Sequence, residues 1–165
     1  MYMSIIGNLS IRPARSPEDL RDARCLFSAY ATWLNVDLEF QDFNDELERL
    51  PGKYAPPQGE ILLARDSNET IVGCVALRPF GSDGRTCEIK RLYVIPEARK
   101  LRLGRKLVVE IIKAAVAYGY TEMRLDTLGY MHDAIALYMK FGFTPVDAYY
   151  DTPLADTIFL ARTLP

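Results

Sequence analysis

Residues 87–108 read CEIKRLYVIPEARKLRLGRKLV. Thr86 to Ile95 reads as a strand that stops at Pro96, because proline cannot donate to a sheet ladder. From Leu103 onward, Leu103, Leu107, Val108, Ile111, Ile112, Ala115 and Val116 recur at helical spacing, which predicts a helix to Tyr118 closed by Gly119. Between the two elements lie Arg99, Lys100, Arg102, Arg105 and Lys106, with Gly104 among them. A strand that feeds a basic, glycine-bearing helix start aims free backbone N–H groups and fixed positive charge at one place, and such a terminus binds phosphate. A merely solvated basic turn is the other reading, though five cations in eight residues fit it poorly in a chain whose net charge is −2.

Working outward, Leu9 to Arg12 reads as a first strand. Ser16-Pro17-Glu18-Asp19 is a helix start, with serine at the cap, proline at the first helical position and acids in the first turn. Leu20, Ala23, Phe27, Ala31 and Leu34 then share a face. A second helix is expected over Phe40 to Leu50, followed by a loop from Pro51 to Gly59 rich in proline and glycine. Ile61–Arg65 and Ile71–Leu77 flank the polar turn Asp66–Glu69 and read as a hairpin. Gly81–Gly84 turns the chain into the strand already described. Met123–Leu128 is a short strand, Ala134, Leu137, Tyr138 and Phe141 stripe a helix closed by Gly142, and Phe143–Val146 and Thr157–Ala161 read as closing strands. The order predicts a single mixed α/β domain over residues 1–165, with a largely antiparallel sheet flanked by helices, and residues 1–8 poorly ordered.

Composition narrows the class. The chain has 165 residues, 49% of them hydrophobic and 25% charged, which is globular usage. Its slight acidity argues against a nucleic-acid binder. Cys25, Cys74 and Cys87 show no metal or disulfide spacing, and with His132 as the one histidine neither a metal site nor a serine–histidine triad is signalled. The start of the chain does not read as a signal peptide, and no run approaches a membrane span. The expectation is a cytoplasmic protein.

The segment from Leu92 to Arg105 resembles the pyrophosphate-binding motif of the GNAT superfamily of acyl-CoA-dependent N-acyltransferases, Gln/Arg-x-x-Gly-x-Gly/Ala. Ala134-x-x-Leu137-Tyr138-x-x-Phe141-Gly142-Phe143 is similar to that family's second signature, and the order of elements between the two agrees as well. The resemblance covers roughly residues 61–164. Two positions depart from it. Arg102 stands where the motif has its first glycine, which requires the arginine side chain to turn outward, and Met131 stands where many members carry an asparagine that bonds the cofactor.

The resemblance implies direct transfer of an acetyl group from acetyl-CoA to an amine in a ternary complex, with no metal. It assigns the diphosphate to Arg99, Lys100, Leu101, Arg102, Leu103, Gly104, Arg105 and Lys106, and the pantetheine amides to Leu92, Tyr93 and Val94 on a strand splayed from its neighbour. Tyr138 takes the family's tyrosine position, where a phenol returns a proton to the departing thiolate, although helical periodicity alone makes it a core residue. Glu88 matches the catalytic glutamate of some members; an ion pair with Lys90 is the equal alternative, and many members use water in place of a base. Simple alternation sets Glu88 on one face with Lys90, Leu92 and Val94, a register that a bulge would alter.

Asp126 and Thr127 end the strand where the acceptor arrives, as an ammonium site or as a cap on the next turn. Tyr149, Tyr150 and the Tyr54–Gly59 loop are candidate pocket residues, and so are Trp33 and Phe40, for which core packing is the better explanation. His132 reads as a solvated helix start and Cys87 as buried filler. The expected partners are a small amine or amino-acid-like acceptor, with no nucleic acid and no membrane, and a second copy of the chain through an exposed C-terminal strand. A non-catalytic acyl-CoA-binding or sensor module is the alternative to an enzyme.

Overall fold

The computed structural model describes residues 8–165, so most of the amino-terminal stretch expected to be poorly ordered lies outside the described residues. Strand β1 (Ser10–Pro13) leads into helix α1 (Pro17–Leu34). The start of α1 is a reciprocal cap: Ser16 Oγ accepts from the Asp19 N–H at 3.0 Å, and the Asp19 carboxylate accepts from the Ser16 N–H at 3.2 Å.

The helix expected over Phe40–Leu50 is two shorter pieces. A 3-10 turn at Glu39–Gln41 is separated from α2 (Phe43–Glu48) by Asp42 at φ 56°, a left-handed residue that no helix can pass through unbroken. The following loop holds a 3-10 turn at Gly52–Tyr54, and Tyr54 is buried beneath it, with its hydroxyl donating to Glu46 at 2.8 Å.

Strands β2 (Glu60–Arg65) and β3 (Ile71–Pro79) form the expected hairpin, and β3 pairs onward with β4 (Thr86–Val94). A 3-10 turn at Pro96–Leu101 precedes α3 (Leu103–Ala117), and β5 (Glu122–Leu128), α4 (His132–Lys140), β6 (Thr144–Pro145) and β7 (Thr157–Thr163) complete the chain. The sheet runs β1-β2-β3-β4-β5-β7-β6, antiparallel except at β4–β5. The C-terminal strand is therefore not a bare edge, since β6 pairs with it at Leu160 and Ala161.

One core lies on each face of the sheet. Leu103, Leu107 and Ile111 of α3 pack on Val75, Leu77 and Ile89, with Tyr138 and Phe143 from the α4 end. On the other face Leu26, Phe27 and Leu34 of α1 pack on Leu63, Cys74, Ala76 and Tyr93. Each core excludes water from a full helix stripe, which is the dominant favourable term in folding.

Strand β4 does not alternate throughout. Its register against β3 shifts between Cys74–Tyr93 and Ala76–Lys90, and Arg91 sits at φ 61°. This bulge inserts one residue, so every side chain after it changes face. Leu92 and Val94 join Ile89 and Cys87 on the α3 core, whereas Tyr93 lies on the α1 core. The expectation that Glu88 and Lys90 share a face with Leu92 and Val94 is corrected accordingly.

Candidate active site

Strands β4 and β5 run parallel but pair only through Thr86–Glu122, Cys87–Met123 and Glu88–Arg124. Beyond Glu88 they diverge, while β5 stays paired with β7 as far as Leu128. Residues Ile89–Val94 thus present a strand edge with no ladder partner on the β5 side. The bulge at Arg91 bends β4 away, and Met131 and Ala134 at the start of α4 lie in the wedge between the two openings described next.

The outer opening is a groove of about 510 Å³. Leu92, Tyr93 and Val94 line one wall, Ala134 and Leu137 of α4 the other, and Arg99 and Gly104 the basic end. Helix α3 begins there with no side chain capping it, so its first-turn N–H groups are left for a ligand. A Cβ at Gly104 would meet only Leu137 Cδ2, at 3.8 Å, so this glycine keeps groove space open rather than relieving a protein contact. Arg102 adopts φ 55°, a glycine-like conformation, with an exposed side chain, and this is how an arginine occupies the motif's glycine position without filling the groove. Lys100, Arg105 and Lys106 are exposed around it, with the Arg105 guanidinium 5.6 Å from the Phe141 ring. Leu103 is fully buried and Leu101 packs on the same core, so both can offer a ligand only backbone. Trp33 is not core: it is 44% exposed and lines this groove, with the Arg99 guanidinium 4.6 Å from its ring.

The inner opening is a cavity of about 70 Å³ that shares Leu92, Met131 and Ala134 with the groove. Tyr138 and Tyr30 line it, together with Lys90, Asp126, Thr127 and Tyr150. Tyr138 is 6% exposed and packs edge-on against Phe143; its hydroxyl has no hydrogen-bond partner among the described residues. Burial pushes its phenol well above the usual value of 10, and the nearby Tyr30 and Asp126 add to this, so it stays protonated. Burial likewise pushes Tyr30 up to about 12.

Lys90 is the residue that sequence reasoning undervalued. Its ammonium lies 3.3 Å from Asp126 Oδ1 and 3.4 Å from Glu88 Oε2. The other oxygen of Asp126 accepts from the Tyr150 hydroxyl. Burial opposes the Asp126 charge, but Lys90 and the Tyr150 hydroxyl outweigh it and hold the carboxyl below its usual range. Asp126 is thus a charged cavity residue and not a turn cap. Thr127 Oγ1 lies 3.8 Å from the Met131 sulfur.

Glu88 does not line the cavity. It is 1% exposed, with Oε1 bonded by Arg78 Nε at 3.0 Å and Oε2 by the Tyr149 hydroxyl at 2.9 Å and the Lys90 ammonium. Tyr150 and Phe40 line the cavity, whereas Tyr149 and the Tyr54–Gly59 loop do not. His132 is exposed at the start of α4. Cys87 is fully buried, and burial pushes its thiol up to about 12, so it is no nucleophile. Among the described residues no group of side chains is suited to hold a metal ion, and no helix is long and apolar enough to cross a membrane.

A parted pair of parallel strands, a free strand edge between them and an uncapped basic helix start at one end together define an acyl-CoA-dependent N-acetyltransferase. A model of the acetyltransferase (GNAT) family matches residues 23–143, and the chain belongs to that family. An N-acetyltransferase of Schizosaccharomyces pombe, itself uncharacterised, is 44% identical over 154 residues, covering 93% of this chain and 94% of its own. An acetyltransferase from Streptococcus agalactiae superposes with a TM-score of 0.77 at 24% identity, covering 94% of this chain and 98% of its own. A spermidine N-acetyltransferase from Vibrio cholerae, solved with CoA and spermine, superposes at 0.69 and 19% identity, covering 94% of this chain and 95% of its own; at that identity it speaks for the fold. Enzymes of this family use acetyl-CoA.

Proposed function

We propose that this enzyme, acting as one domain in the cytoplasm, moves an acetyl group from acetyl-CoA directly to a small amine within a ternary complex, with Tyr138 as the acid. The observation that carries this is the partition of the opening. A groove ending in a basic helix start meets a small cavity that carries Lys90 and Asp126, at Leu92, Met131 and Ala134, with the Tyr138 phenol on the cavity side.

In this reading the diphosphate meets the backbone of residues 101–105 and the side chains of Arg99, Lys100, Arg105 and Lys106, while Arg102, turned outward, adds only screened Coulomb attraction. The pantetheine amides extend the free edge of β4 at Leu92–Val94, in the manner of an added strand. The neutral amine nitrogen attacks the thioester carbonyl, the C–S bond breaks, and the sulfur leaves with its electron pair and takes the Tyr138 proton. The attacking nitrogen gives up one proton, which restores the phenol through cavity water.

Glu88 is engaged on both oxygens, so its part is to hold Lys90 in place. Thr127 and Asp126 border the acceptor. Because the Arg102 side chain points out of the groove, the departure from the motif glycine does not favour a non-catalytic binding module.

Thermal unfolding with acetyl-CoA, CoA and ATP tests the groove, and CoA thiol release with an amine panel tests the transfer. The expected result is a shift of several degrees with acetyl-CoA and CoA but not ATP. Turnover should be lost in Tyr138→Phe with the CoA shift retained. Unchanged turnover in that variant removes Tyr138 from the chemistry.

A further inference from the structure

The acceptor cavity carries a cation and an anion side by side. The Lys90 ammonium and Asp126 Oδ1 are 3.3 Å apart, with side chains 4% and 11% exposed, and both residues line the cavity. The surrounding charges balance: Lys90, Arg78 and Arg91 are countered by Glu88, Asp126 and Glu46 through contacts of 2.9–3.4 Å. The cavity also has apolar lining from Leu34, Val36, Leu38, Phe40 and Leu154.

Charge accounting limits what such a cavity accepts. A polyamine gains nothing from a site whose carboxylates are already neutralised, and its further ammonium groups would face the apolar lining. A lone ammonium that takes Asp126 from Lys90 leaves the lysine with Glu88 alone, and weakening a buried ion pair costs energy. A zwitterion avoids both costs. Its ammonium takes Asp126 and its carboxylate takes Lys90, so four charges alternate and none is left unpaired. In an α-amino acid the two charged groups are separated by one carbon, roughly 3 Å from nitrogen to the nearer oxygen, which matches the Lys90–Asp126 spacing.

Resting on the transferase reading above, we propose that the acceptor is an α-amino acid with an apolar side chain, its ammonium on Asp126, its carboxylate on Lys90, and its side chain against Leu34, Leu38, Phe40 and Leu154. The acceptor ammonium sheds one proton to solvent, its nitrogen forms the new C–N bond as the thioester C–S bond breaks, and a second nitrogen proton balances the one taken by sulfur. Acetyl-CoA and the zwitterion thus yield the N-acetyl amino acid, free CoA thiol and one proton.

The test uses the whole purified chain. CoA release is followed with leucine, methionine and phenylalanine, with the carboxyl-free isoamylamine and phenethylamine, and with spermidine. Leucine or methionine is expected to exceed its carboxyl-free counterpart and spermidine at least tenfold in kcat/KM, and Lys90→Met is expected to bring that ratio close to one. In case that variant folds poorly, thermal unfolding of the unaltered protein with CoA bound gives a second reading: leucine raises Tm and leucinol does not. A preference for spermidine or a carboxyl-free amine overturns the amino-acid proposal and leaves the transferase standing. CoA stabilisation with no acceptor turned over overturns both.

Discussion

The Arg99 guanidinium lies 4.6 Å from the Trp33 ring and 5.8 Å from the Tyr93 ring, while its Nε donates a 3.0 Å hydrogen bond to the Val94 carbonyl. A side chain from the last turn of α1 thus packs on the first cation of the turn proposed to hold the diphosphate. Cation–π contacts at exposed sites contribute about 0.5–1 kcal/mol, so Trp33→Leu is expected to raise the KM for acetyl-CoA roughly two- to fivefold. Trp33→Phe should recover most of that, and the acceptor KM should stay put. Because Trp33 is the single tryptophan, its fluorescence reports the groove directly, and a flat signal on CoA titration would show that the ligand does not come near it.

Arg102 gives a second test. An L-residue in the left-handed region carries a penalty of about 1–2 kcal/mol, offset by the roughly 0.5–1 kcal/mol that glycine loses in chain entropy. Arg102→Gly is therefore expected to stabilise the fold by about 0.5 kcal/mol, or about 1–2 °C in Tm for a domain of this size. The backbone at the helix start is unchanged and one exposed cation is lost, so CoA affinity should move by less than about threefold. A tenfold loss would mean that the Arg102 side chain itself grips the diphosphate.

Gly104 tests the groove from the other side. A side chain there meets only Leu137 Cδ2 within the protein, at 3.8 Å, so Gly104→Val should fold with its Tm within about 2–4 °C of the unaltered chain. It should nevertheless raise the acetyl-CoA KM at least tenfold if the diphosphate sits there, because the added methyls occupy that space. An unchanged KM would move the diphosphate away from residue 104.

What the sequence made legible has a local physical cause. The α1 cap depends on four consecutive residues, the β2–β3 hairpin on a polar turn between apolar runs, and the groove end on cations gathered at one helix start. The parts that were not legible lack a periodic trace. A one-residue bulge at Arg91 leaves the composition of β4 untouched yet moves Leu92 and Val94 off the face of Glu88. Asp42 breaks a helix by its dihedral alone. Lys90 reads in the sequence only as an ion-pair partner for Glu88, because only the parting of β4 from β5 makes it a cavity residue beside Asp126 as well.

Glu60 ties β2 to the β1–α1 loop and to the end of α3. Arg15 bonds it through two nitrogens at 2.7 and 2.8 Å, and the Tyr118 hydroxyl donates at 2.6 Å. Burial opposes the charge, but these donors outweigh it and lower the carboxyl below its usual 4.5. A group depressed on folding contributes stability above its unfolded value and loses it as pH falls through the folded one. Glu60→Gln should therefore cost about 2 kcal/mol at pH 7, and its Tm deficit should shrink steadily from pH 5 to pH 3. A constant deficit across that range would assign the loss to packing rather than to charge.

The pH profile of turnover separates the acid from its surroundings. Burial raises the Tyr138 phenol above 10, so it stays protonated throughout the neutral and mildly alkaline range. Asp126 is shifted the other way, below 3.8, so it stays ionised wherever the enzyme can be assayed. Neither group titrates between pH 6 and 9.5. The rising limb of kcat/KM should then belong to the acceptor's own ammonium, shifting with the acceptor's solution pKa, and no falling limb should follow below pH 9.5. Tyr138→Phe should keep the rising limb at an amplitude about a hundredfold lower. A falling limb near pH 8–9 that disappears in Tyr138→Phe would instead reveal a phenol titrating within the assay range.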